Sequence, residues 1–215
     1  MMQIHTISDR GRWFEIYAVV ITGIAKYILV DWLEFRLFYI SGAIMFWVWY
    51  ILSRYHTNRQ ILINWGFRRE GFLETFKFCI PFVIFALIII GFYELGVGDG
   101  FLEWSLLPIL GLYPIWGLIQ QFLMIGIIAG NLKEIQSLKF KEKHLVLIVS
   151  LLFSLAHFPD YRLMGFTFMM ELFFISAYFR WKNLWALGVL HGWLGGMFLY
   201  LVLHRNLWQE LWVVF

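Results

Sequence analysis

Residues 184–203 read LWALGVLHGWLGGMFLYLVL, a run in which His191 is the one strongly polar side chain. A helix of about 20 residues rises about 30 Å, the thickness of a bilayer's hydrocarbon core. A stretch this apolar on every face predicts a membrane span, where an amphipathic helix of a water-soluble domain would show a polar side. Gly188, Gly192 and Gly196 recur every four residues, and such a stripe predicts close approach of a second helix. His191 adjoins the stripe and is expected at the edge of that contact.

Working outward, similar apolar runs recur along the chain. Seven spans are expected, at about 13–30, 37–52, 77–93, 105–129, 144–158, 163–179 and 184–203. Several are short, which predicts tilt, buried broken segments or local thinning of the bilayer. The composition agrees: 61% of 215 residues are apolar, and 12 Trp with 23 Phe exceed what a soluble core of this size can hide. Backbone groups in lipid must be satisfied internally, so the expected fold is all-α: a polytopic transmembrane bundle of about seven spans plus one interfacial helix. No polar segment is long enough to fold alone, which makes 1–215 a single membrane domain. The single Cys79 excludes an intrachain disulfide and a cysteine-cluster metal site. No cleavable signal peptide is expected: the span after Arg10 and Arg12 is too long for a signal core, and no small-residue cleavage pattern follows.

Basic residues sort by side. Arg10, Arg12, Arg54, Arg59, Arg68, Arg69, Lys77, Lys133, Lys139, Lys141, Lys143, Arg180 and Lys182 fall on one side of the expected spans. The other receives Arg36, Arg162 and Arg205, together with the acidic loop Glu94, Asp99, Glu103. Loop bias of this kind places the N-terminus in the cytoplasm and the C-terminus outside. It also explains the net charge of +3 without nucleic acid, so no nucleic-acid partner is expected. Segment 58–76, NRQILINWGFRREGFLETF, is too polar to span; it is read as a cytoplasmic interfacial helix broken near Gly66, with Trp65 at headgroup depth. Trp104, Trp181, Trp185, Trp208 and Trp212 read as interface anchors, and 205–215 as a segment either free or interfacial.

Polar residues inside spans are costly and point to function. Helix rise puts Gln120 roughly 15 Å from the cytoplasmic end of its span, Glu171 roughly 13 Å and His191 roughly 12 Å. Three spans thus carry polar groups at one level, which predicts a shared cavity; His157 falls nearer the outer face. Gln120 and Gln121 either border that cavity or join helices through amide hydrogen bonds. An unpaired carboxylate ion at the depth of Glu171 is prohibitively expensive, so it must be protonated or paired. Arg180 lies about 13 Å along the same helix, which leaves His157 or His191 as the better partner. Two histidines and a carboxylate suit general-base activation of water, and also form a ligand set for zinc. Ser154 lies three residues from His157 but lacks a nucleophile-elbow context. Glutamine orients a carbonyl or a water but takes no proton from it at neutral pH.

The order of these motifs resembles the CPBP family, the CAAX-prenyl-protease and bacteriocin-processing intramembrane glutamate-type endopeptidases. That family carries Glu-Glu-x-x-x-Arg on one span, Phe-x-x-x-His on the next and His-x-x-x-Asn on a later one. Phe153-Ser-Leu-Ala-His157 matches the second motif, and His191 begins the third. Asn183-Leu184 and Pro159 also match, and the resemblance covers about 105–200, with NWGFRR at 64–69 as an addition. Gln120 and Gln121 stand where the family has its paired glutamates, Ile125 where it has arginine, and Gly195 where it has asparagine. The resemblance implies that the first glutamate would activate water while the histidines position it or stabilise the oxyanion. It also implies an integral protein of a prokaryotic inner or plasma membrane.

Two functions follow. One is cleavage of a membrane-associated peptide or protein by water held among Glu171, His157 and His191. The other is a protease-like scaffold without hydrolysis that binds a hydrophobic peptide or a partner subunit of a membrane complex. Transport of an ion or solute would need a continuous polar path, which the sequence does not display.

Overall fold

A computed structural model of the chain describes residues 7–97 and 106–206. These form helices without strands: α1 (Asp9–Lys26), α2 (Arg36–Thr57), α3 (Ile61–Trp65), α4 (Phe72–Val97), α5 (Leu106–Gln121), α6 (Gly130–Glu134), α7 (Glu142–Leu155), α8 (Tyr161–Trp181) and α9 (Leu184–Met197). Three wider π-helical stretches extend them: Tyr27–Trp32 after α1, Phe122–Ala129 joining α5 to α6, and Phe198–Val202 after α9. The chain is an all-α polytopic bundle. Among the described residues, six helical segments are long and apolar enough to cross a membrane. The expected span at 144–158 corresponds to α7, whose 14 residues rise only about 21 Å. Of the residues assigned to the acidic outer loop and the aromatic anchors, Asp99, Glu103, Trp104, Trp208 and Trp212 lie outside the described residues, as does the C-terminal stretch from 207.

The helix starts follow local chemistry. Asp160 caps α8, its Oδ1 accepting from Arg162 N at 3.0 Å and Leu163 N at 3.1 Å. Asn183 caps α9 through Ala186 N at 3.0 Å, while its own amide donates to the carbonyls of Arg68 at 2.6 Å and Glu70 at 3.0 Å. That one side chain therefore starts the central helix and holds the 66–71 turn beneath it.

This turn adds to one expectation. The interfacial segment does break at Gly66, which ends α3 with φ of 107°, a backbone shape that suits glycine. Trp65, however, faces the bundle interior and not the lipid: it is 4% exposed and packs against Tyr50 and Phe122. Tyr178 Oη donates to the Trp65 carbonyl at 2.9 Å, and Leu184 N donates to Gly66 O at 2.9 Å. Those buried bonds draw the segment into the bundle.

α9 is the axis of the fold. In its span 78% of an 18-residue stretch is buried, against 6% for the α2 span at the periphery. The glycine stripe explains the difference, since it lets the α5 backbone lie directly on α9. A Cβ at Gly188 would fall 2.7 Å from Leu118 Cα, and one at Gly117 only 2.6 Å from the Gly188 carbonyl oxygen. A Cβ at Gly192 would overlap the backbone of Pro114. Close backbone contact of this kind is how small residues hold helices together in lipid.

Candidate functional site in the bundle interior

The α5–α9 contact fixes the span carrying the glutamines against the span carrying His191, and α8 closes the third side. Gln121 and Glu171 are fully buried and His191 is 3% exposed. Gln121 Nε2 lies 2.5 Å from Glu171 Oε1 and 2.7 Å from His191 Nδ1, while the carboxylate and imidazole atoms are 4.0 Å apart. An amide nitrogen only donates, so its two hydrogens serve one partner each. His191 Nδ1 is then the acceptor, and the ring carries its hydrogen on Nε2. A Cβ built on Gly195 would stand 3.6 Å from His191 Cδ2 and 3.7 Å from Nε2, so that edge of the ring looks toward Gly195. Glu171 Oε2 and Gln121 Oε1 have no hydrogen-bond partner among the described residues.

His157 lies past the end of α7, in the turn toward α8. Its Nδ1 stands 2.8 Å from the Phe153 carbonyl oxygen, four residues back. A carbonyl only accepts, so Nδ1 donates and Nε2 is left as an acceptor. Phe153 sits between the two histidines, with ring centroids 4.8 Å from His157 and 5.6 Å from His191, both edge-on. The Phe-x-x-x-His spacing has a physical sense here: one aromatic ring and its carbonyl orient both imidazoles.

A cavity of ≈ 810 Å³ opens beside this cluster. Gln120, His157, His191, Gly195, Tyr113 and Thr167 are on its wall, with Lys26, Asp160, Arg162 and Arg205 also lining it. Glu171 is not on the wall; Gln121 and His191 stand next to it. The structure therefore divides the five residues singled out in the sequence. Gln120, His157 and His191 face the cavity, whereas Gln121 and Glu171 form a buried pair behind His191. Asp160 is the carboxylate that lines the cavity, and its Oδ1 is occupied in capping α8. Among the described residues no group of three or more His, Cys, Asp or Glu comes together closely enough to hold a metal ion.

Sequence reading missed several wall residues, among them Lys26, Tyr113, Asp160 and Thr167. Tyr113 is seven residues before Gln120, two turns back on the same helix face, and Thr167 is four before Glu171. Helical spacing from residues already singled out was the available signal for both. It also passed over Glu15, a second fully buried carboxylate, which accepts from Tyr50 Oη and Asn131 Nδ2 at 2.6 Å each.

Comparison with known families returns a match to the type II CAAX prenyl endopeptidase Rce1-like family over residues 76–197, which run from α4 to the end of α9. No curated protein and no solved structure matches. The match covers more than half of the chain and takes in the glutamine pair, both histidines and the glycine stripe. The chain is an integral membrane protein of the Rce1-like, type II CAAX prenyl endopeptidase family.

Proposed function

We propose that this CAAX-protease-like membrane protein captures a segment of a membrane-associated peptide or protein in the cavity among α5, α7, α8 and α9, as a recognition scaffold. One observation carries the reading. The cavity has the size of a ligand site, and its wall near the histidines presents amide, imidazole and hydroxyl groups, while the carboxylate Glu171 is closed off behind Gln121. Glu171 then cannot take a proton from a water held between the imidazoles, Asp160 on the wall has its Oδ1 engaged in capping α8, and binding needs neither.

A second reading, hydrolysis, has its own support in His157. With Nδ1 held by the Phe153 carbonyl, Nε2 is available as a base, and the Nε2–H of His191 is a donor for a developing oxyanion. The two readings separate in nanodiscs carrying the full chain and a fluorescently labelled hydrophobic peptide. A photo-crosslinking residue at Thr167 measures capture, and product release measures cleavage. Recognition predicts saturable crosslinking, no product above a protein-free control, and capture that survives His157→Gln. Product formation lost in His157→Gln would replace it with hydrolysis, and the absence of crosslinking to any peptide would reject both.

A further inference from the structure

The basic end of the bundle holds a second, smaller cavity of ≈ 210 Å³ that shares no lining residue with the histidine cavity. It opens between the first turn of α1, α3, α6 and the end of α8, and Arg12, Asn64, Trp65, Asn131, Glu134 and Lys182 line it. Most of its polar groups are used internally. Arg12 Nη2 stands 3.7 Å from Glu134 Oε2, and Nη1 donates to Asn131 Oδ1 at 3.2 Å. Asn131 in turn donates to Glu15.

Lys182 is the exception: its ammonium has no ion pair and no hydrogen bond among the described residues. Burial holds it below the ordinary lysine value of 10.5; Glu134 opposes that shift, while Arg12, Lys133 and Arg68 add to it. Lys133 already pairs with Glu142 at 2.6 Å. Two further donors are buried without a partner, the indole N–H of Trp65 on the cavity wall and Arg68 Nε. Cations and donors therefore exceed anions and acceptors at this point. Lys182 also ends α8 in the left-handed region, at φ 50° and ψ 50°, where glycine or asparagine caps with less strain. What the lysine adds at that cost is an ammonium group on the cavity wall.

We infer that this cavity binds a phosphate-bearing anion, with Lys182 as its principal charge and Arg12, Asn64 and Trp65 around it. The volume far exceeds that of one water. The site lies where the basic residues of the chain gather, which is the level at which lipid phosphates meet a membrane protein. The same chemistry is offered by an anionic lipid headgroup and by free phosphate.

The test is thermal unfolding of the purified full chain in micelles doped with phosphatidylglycerol or with phosphatidylcholine, and separately with inorganic phosphate against chloride at matched ionic strength. A ligand selective for the folded state raises the midpoint, and a gain of about 3 °C or more over the neutral control is expected. Lys182→Asn keeps a residue suited to the left-handed cap and removes the charge, so the gain is lost; Lys182→Gly serves the same purpose if Lys182→Asn does not fold. Lys139→Asn, in the exposed loop before α7 and outside the cavity, keeps it. A shift with phosphatidylglycerol alone assigns the site to lipid, and an equal shift with inorganic phosphate assigns it to a soluble anion. Equal midpoints in every condition, or a gain that persists in both Lys182 variants, would overturn the inference.

Discussion

Replacing Gln121 by leucine should cost more than one lost hydrogen bond, and part of that cost should return when Glu171 is replaced as well. Gln121 Nε2 serves Glu171 at 2.5 Å and His191 at 2.7 Å, and all three side chains are buried. Gln121→Leu leaves Glu171 Oε1 and His191 Nδ1 without partners, and Glu171 Oε2 already has none. An orphaned buried polar group costs about 1–3 kcal/mol in soluble proteins, whereas interhelical hydrogen bonds measured in a membrane protein average about 0.6 and reach about 1.7 kcal/mol. Two such bonds, with no alternative partner within the core, place the single variant at about 2 kcal/mol. Glu171→Leu removes the carboxyl and strands only one amide hydrogen, at about 1 kcal/mol. In the double variant only His191 Nδ1 remains orphaned, at about 1 kcal/mol, so the two costs should fall short of additivity by about 2 kcal/mol. Reversible unfolding in bicelles measures the cycle. Additivity within about 0.5 kcal/mol would refute the shared-amide geometry. Nitrogen-15 shifts of His191 give an independent readout: the ring should carry its hydrogen on Nε2 in the native chain and lose that preference in Gln121→Leu.

Two further substitutions probe packing and chemistry. Gly192→Ala should lower stability by at least about 1–3 kcal/mol and weaken peptide capture, because its Cβ overlaps the Pro114 backbone next to His191. Gly23→Ala, whose Cβ meets nothing within 4 Å, should be neutral or slightly stabilising, and thermal midpoints of the pair provide the comparison. Gln120→Glu combined with Gly195→Asn should create peptide cleavage: Gln120 lies on the cavity wall, and a Cβ at Gly195 meets only ordinary contacts of 3.6–3.8 Å. A positioned general base contributes about 10²–10⁴-fold, so a double variant no faster than the native chain would show that the missing carboxylate is not what limits hydrolysis.

Much of the architecture was legible because it depends on quantities that sequence carries directly. Helix rise is fixed, so counting residues inward from the charged ends put the glutamines, Glu171 and His191 at one level, and all three helices meet through Gln121. Rotation about the helix axis was not legible. Gln120 and Gln121 differ by about 100° around it, and only the α5–α9 contact decides that one faces the cavity and the other the interior. Trp65 looked like an interface anchor because its neighbours in sequence are polar. Its neighbours in space, Tyr50, Phe122 and Tyr178, come from three other segments. Glu15 lies in the first turns of α1, where a carboxylate ordinarily meets water, and it is buried by Tyr50 and Asn131, 35 and 116 residues away. The span expected over 144–158 was drawn through His157. The helix stops at Leu155, and the turn that follows brings the ring onto the cavity wall.

The position of Glu171 bears on what kind of protein this fold has become. A general base must reach its water at about 2.6–3.2 Å, directly or through one further water. Glu171 reaches no such point, for Gln121 and His191 stand beside it and its Oε1 is taken up by the amide. To act on a water it would have to displace Gln121, breaking the contacts at 2.5 and 2.7 Å and orphaning His191 Nδ1 in an apolar interior. What the carboxylate does where it stands is hold the amide, and the amide holds the imidazole with its Nε2–H edge toward Gly195 and the cavity. Phe153 does the same for His157 through its carbonyl. The interior thus orients two rings toward the cavity, with Glu171 engaged behind them and Asp160 the carboxylate on the wall. Rings held in this way suit the proposed capture of a peptide segment, and cutting it would need a base other than Glu171, such as His157 Nε2.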